Sequence, residues 1–221
     1  MTFRLELCRS LKDPDTKFDQ LQIAEVVPLN LGKITFILFL SLIVSCIQAY
    51  FALNTEGLSH LIADYSTNEF ELAKFLIGFG GILDAIVSPL TYLLFTSLWF
   101  WVFLDEVHFR QAFVVNTISI FIFTIGKMML LPFEIWLGVN SVTSPFALGV
   151  VAHLFTINEY LIYFFGHISI FLLWTMIIQI YAFSRLATNR KVVIVLVTVS
   201  VHVLIILFTV FLQYVVTFFY S

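Results

Sequence analysis

Residues 192–218 read VVIVLVTVSVHVLIILFTVFLQYVVTF, a run without one Asp, Glu, Lys or Arg. Crossing about 30 Å of hydrocarbon takes about 20 apolar residues as a helix, and in lipid a helix satisfies its own backbone hydrogen bonds. The run therefore reads as a membrane span. Four earlier blocks have the same character, at 34–53, 82–104, 112–133 and 160–183. The expected fold is all-α: a polytopic integral membrane protein, a bundle of five transmembrane helices over 34–221 preceded by a polar arm over 1–33.

Composition points the same way. Of 221 residues, 61% are hydrophobic and 26 are Phe, while 11% are charged, against about 25% in ordinary globular chains. Mean hydropathy is +1.03. So little polar surface excludes a soluble enzyme, a disulfide scaffold and a disordered chain. A net charge of -3 with no long basic stripe excludes nucleic acid as a partner. Cys8 and Cys46 fall in the arm and in the first span and do not read as a disulfide, a metal pair or a nucleophile.

Orientation follows from Lys and Arg, which cytoplasmic loops retain. Arg4, Arg9, Lys12, Lys17 and Lys33 lie in the arm, Arg110 in the next turn on that side, and Arg185, Arg190 and Lys191 in the last; the opposite side offers Lys74 alone. Nine against one predicts a cytoplasmic amino terminus and, after five crossings, an extracytoplasmic carboxyl terminus. The arm mixes its basic residues with five acids, unlike a cleavable signal peptide, so the first span is expected to remain as an anchor. Within the arm, Asp13, Pro14 and Asp15 followed by Phe18, Leu21, Ile23 and Val26 predict a turn and a short interfacial helix along the inner leaflet, with a solvated leader as the alternative. Residues 57–76 predict a second interfacial helix on the outer side. No internal repeat supports a transporter of inverted halves.

Charge at membrane depth is costly, about 2.5 to 3.5 kcal/mol even on insertion scales, and so marks candidate sites. Asp84, Lys127 and Glu134 are the three. Lys127 lies about 22 Å along the third span, Glu134 two turns beyond on the same face, and Asp84 at the outer end of the second span. Together they predict an acid–base–acid cluster, either an ion or proton step or a buried clamp between spans, the clamp being preferred. Lys127 snorkelling and Glu134 in the interface are the simpler alternatives. Pro89, with Ser88 beside it, predicts a bend in the second span and is a candidate hinge, while Pro132 marks where the third distorts or ends. Gln48, Asn116, Gln179 and Gln213 read as interhelical hydrogen-bonding groups. Gly78, Gly80 and Gly81 read as a flexible approach to the second span. His60, His108, His153, His167 and His202 lack helical ligand spacing. No metal, cofactor or catalytic constellation is expected.

Four passages carry a resemblance. Asp13 to Phe18 (Asp-Pro-Asp-Thr-Lys-Phe), Ser88-Pro89-Leu90, the turn His108 to Phe113, and Ile168 to Trp174 with the basic turn Arg185 to Lys191 resemble the approach to the first span, the opening of the second, the entry to the third, and the fourth span with its exit in the bacterial branch of the Yip family. The resemblance implies a noncatalytic, multi-pass protein of a bacterial cytoplasmic membrane. Its partners would be the lipid bilayer, a membrane complex such as an ABC-type exporter whose assembly or activity it supports, or further copies of itself in a homo-oligomer. The alternative is a small permease or channel subunit using the charged cluster.

Overall fold

The computed structural model describes residues 3–53, 67–140 and 142–220. Within them, the apolar runs are helices. Helix α3 spans Leu31–Tyr50, α4 Thr67–Phe103, α5 Phe109–Leu137 and α9 Lys191–Tyr220, and these four are long and apolar enough to cross a membrane. Helix α8, Ile170–Leu186, is apolar but only 17 residues long. Short turns, 104–108 and 187–190, join α4 to α5 and α8 to α9. The His108 N–H donates to Gln111 Oε1 at 3.1 Å where α5 starts, and Gly138 closes it at φ 63°, a left-handed conformation that glycine adopts without a Cβ penalty. Asp105 and Asn189 bond each other twice, at 2.7 Å, tying the α4–α5 turn to the α8–α9 turn.

Helices α4, α5, α8 and α9 each pack against the next and close a ring of four, with α3 laid against α4 and α5. Their shared core holds Leu93 and Phe100 of α4, Ile118 and Ile122 of α5, Ala182 and Phe183 of α8, and Ile194 and Val201 of α9. The rings of Phe100 and Phe183 stack at 4.1 Å. In the most apolar window of each, α5 is 61% buried against 22% to 28% for α3, α4 and α9, which makes it the central element. The other long helices turn Leu94, Leu98, Trp101, Leu196, Leu207 and Phe211 outward, a surface suited to lipid rather than water.

The expected span at 160–183 is not one helix. Helix α7, Glu159–Gly166, stops, and α8 starts again at Ile170 after His167, Ile168 and Ser169. Backbone groups freed by such a break need partners in an apolar setting, and the preceding segment supplies them. Leu148 N–H donates to Ile168 O at 3.1 Å and Ile170 N–H to Phe146 O at 2.9 Å, while Ser169 Oγ caps α8 by accepting from Leu172 N–H at 3.2 Å. Helix α6, Gly149–Phe155, packs on α7 where Gly149 and Gly166 meet Val142; a Cβ on either would collide with it.

Three boundaries also differ from expectation. The second span begins at Thr67 within α4, so the outer interfacial helix expected at 57–76 is, from 67 onward, part of that helix; 57–66 lie outside the described residues, and His60 with them. Gly78 and Gly81 are helical, not a flexible approach. Cβ atoms there would sit 3.5 Å from Ala49 Cβ and Ser45 Oγ of α3, so these glycines bring the two helices together. Helix α5 continues through Pro132 to Leu137, whereas Pro89 lies inside α4, within the second span as expected.

The arm forms the expected helix, but against the bundle. Helices α1, Leu7–Lys12, and α2, Pro14–Ile23, pack on each other, α1 touching α5 and α2 touching α8. Phe18 is 1% and Leu21 0% exposed, while Ile23, Val26 and Leu29 remain outside. Asp13 Oδ1 caps α2 by accepting from Thr16 N–H at 3.4 Å.

Candidate functional site

The three charges singled out in the sequence do not meet. Asp84 is exposed and accepts from Ser88 Oγ–H one turn later in its own helix. Lys127 is exposed and makes no ion pair among the described residues. Glu134 is 5% exposed and accepts from Gln48 Nε2 at 2.7 Å, joining α5 to α3. The expected cluster is thus replaced by one local bond and one interhelical bond. The neighbours differ along α5: α3 brings Gln48 to Glu134, while Lys127 is exposed.

The polar groups that do converge lie in the ring. Ser97 of α4, Asn116 of α5, Gln179 of α8 and Thr198 of α9 each sit six or seven residues from the end of their helix nearest the arm, roughly 10 Å along each axis. Equal depth on four helices places them in one layer. Asn116 Nδ2 donates to Ser97 Oγ at 3.1 Å. Gln179 Nε2 faces Asn116 Oδ1 at 2.9 Å, Ser119 Oγ at 3.1 Å and Tyr92 Oη at 3.3 Å. His202 extends the layer. Its Nδ1 is 2.8 Å from Thr198 O, which only accepts, so Nδ1 carries a proton; in the neutral ring Nε2 then accepts from Tyr92 O–H at 3.2 Å.

The satisfaction of this layer is uneven. Two hydrogens on Gln179 Nε2 serve three acceptors, while Gln179 Oε1 and Thr175 Oγ1, one turn apart on α8, are buried without a partner among the described residues. A flipped Gln179 amide would put its oxygen against Asn116 Oδ1, so the assigned orientation has the better pairing. The layer contains uncharged side chains and a His, but no carboxylate, Lys or Arg. It is suited to fixing the register of four helices, each bond contributing about 1 kcal/mol or less in a membrane.

Asn116 and Gln179 occupy the interhelical role expected of them, and Gln48 does so through Glu134. Sequence reasoning missed Tyr92, Ser97, Ser119 and His202. The signal available was positional: polar residues at i,i+3 or i,i+4 within a span (Asn116 and Ser119, Thr175 and Gln179, Thr198 and His202), all near one depth.

Below this layer, ion pairs and hydrogen bonds also link the arm to α8. Arg185 at the end of α8 bonds Asp15 at 2.7 Å, Asp19, and the Tyr181 hydroxyl at 2.9 Å, with its guanidinium also over the Tyr181 ring. Tyr181 O–H donates to Asp15 as well. Lys17 Nζ lies 3.1 Å from Glu6, whose carboxyl it holds below the ordinary value, and the Thr16 hydrogen bonds do the same for Asp13. No protein-family model, curated protein or solved structure matches this chain.

Proposed function

We propose that the chain is a noncatalytic, multi-pass membrane protein of the Yip type, seated in a bacterial cytoplasmic membrane with the arm inside and the carboxyl terminus outside, where it supports assembly or activity of a partner membrane complex such as an exporter. The observation that carries this reading is the inward closure of the polar groups. Tyr92, Ser97, Asn116, Ser119, Gln179 and His202 bond one another across four helices. Outside that layer, α4 and α9 turn Leu94, Leu98, Trp101, Leu196, Leu207 and Phe211 outward. Such a body meets other proteins laterally or through the arm-end surface. The basic turns at Arg110 and Arg185 to Lys191 support the orientation.

The permease alternative needed Asp84, Lys127 and Glu134 in one place, and no observation favours it. The test is the size of the particle. Taken from its own membrane at natural abundance in a mild detergent, the chain should migrate in a complex of defined stoichiometry well above 25.4 kDa of protein. A single monodisperse copy would overturn the reading.

A further inference from the structure

A groove of about 710 Å³ opens at the foot of α3, walled by Glu6, Arg9, Asn30, Lys33, Phe36 and Phe121. Its rim is cationic and only partly neutralised. Glu6 Oε2 lies 3.1 Å from Lys17 Nζ and 3.6 Å from Arg9 Nη1, so one carboxylate answers two cations and the Arg9 side chain stays 64% exposed. Lys33 has no ion pair among the described residues. It also lies in the first turn of α3, where the positive end of the helix dipole disfavours a cation. Nor does the Asn30 side chain cap that helix; its Nδ2 donates to Pro28 O at 2.8 Å. An unpaired lysine, a half-paired arginine and an uncapped helix start therefore share one opening. Below the rim the wall turns apolar at Phe36 and Phe121, on helices that read as membrane spans.

We propose that this groove binds an anionic phospholipid, with its phosphate on Lys33 and Arg9 and one acyl chain along Phe36 and Phe121. Charge complementarity selects the headgroup, and the change from cationic rim to aromatic wall selects a lipid over a soluble anion. A juxtamembrane Lys or Arg typically strengthens binding to anionic lipid severalfold.

The test uses the full chain in detergent with phosphatidylglycerol or phosphatidylcholine of identical acyl chains added, binding being read by native mass spectrometry. Two cations predict a preference for phosphatidylglycerol of up to about thirtyfold. Lys33→Gln with Arg9→Gln should abolish that preference and Lys33→Arg should keep it. Lys127→Gln, a charge change away from the groove, should also keep it, and free glycerol phosphate should not compete. Equal binding of the two lipids by the unaltered chain, an unchanged preference in the double variant, an equal loss in Lys127→Gln, or displacement by glycerol phosphate would each overturn the proposal. A photoactivatable phosphatidylglycerol on the unaltered chain gives a reading independent of any variant's folding. Its label belongs on peptides containing Phe36 or Phe121, and labelling elsewhere only would also overturn the assignment.

Discussion

Thr175 is the residue whose replacement says most about the buried layer. Its hydroxyl is fully buried on α8 without a hydrogen-bond partner among the described residues, and an unpaired buried polar group costs about 1 to 3 kcal/mol. Thr175→Val keeps the branched shape and removes the orphan. It should stabilise the protein by about 1 kcal/mol in a reversible unfolding experiment in bicelles. A loss of stability would mean that the hydroxyl has a partner in the membrane. The opposite sign is expected at Gln179 and Asn116, 2.9 Å apart. Removing Gln179 leaves Asn116 Oδ1 unpaired, so a double-mutant cycle with Leu at each position should return a coupling of about 0.6 kcal/mol and at most about 1.7. Zero coupling would make the contact incidental. Asn116 and Gln179 were legible in the sequence because an amide inside an apolar run has few uses other than hydrogen bonding. Tyr92 and His202 were not, since their partners sit on other helices and only the ring's closure brings them together. The charged cluster misled for the same reason: depth and face can be counted along one helix, but the neighbour covering that face cannot.

At the scale of elements, the arm poses a question of magnitude. Burying Phe18 and Leu21 contributes about 1.5 to 3 kcal/mol each, whereas partly exposed ion pairs such as Arg185 with Asp15 contribute about 1 kcal/mol or less. Leu21→Ala should therefore release α2 more than Arg185→Lys does, read as faster hydrogen exchange across Pro14–Ile23. Equal effects would assign the docking to charge. Acid should act through Glu6 and Asp13. Their carboxyls are held below their ordinary values in the docked arm, by Lys17 and by Thr16 respectively. A lowered folded value gives stabilisation that is present above the unfolded value and disappears as pH falls through the folded one. Arm exchange should accordingly be flat from neutral pH down to about 5 and rise below about 4, with a smaller rise in Glu6→Gln; a rise near neutral pH would require another group. The helix at Pro14 was readable from its Asp-Pro start and apolar spacing. Its docking was not, because the same apolar face fits a lipid surface or the side of α8 equally well.

For the whole molecule, the break at His167–Ser169 decides how the chain is threaded. The long spans were legible as uninterrupted apolar blocks, and hydropathy carried 160–183 as another because it registers composition and not backbone continuity. Helix α8 alone covers roughly 25 Å, short of the roughly 30 Å of a hydrocarbon core, and α7, just before it in the chain, packs on α9. Helix α8 is nonetheless apolar and ends at the basic turn Arg185 to Lys191, beside the α4–α5 turn to which Asn189 is bonded. Both turns therefore face the same side as the arm, and α9 leads away from it. The proposed threading counts α8 as a fifth, short crossing beside the four long apolar helices. A phosphatase active only outside the cytoplasm should be active when fused after Tyr220 and inactive when inserted at Asn189, and a fluorescent reporter that folds only in the cytosol should show the reverse. Matching signals at the two positions would mean that α9 returns to the side it left, and the ring of four would then have to be assembled from a different threading.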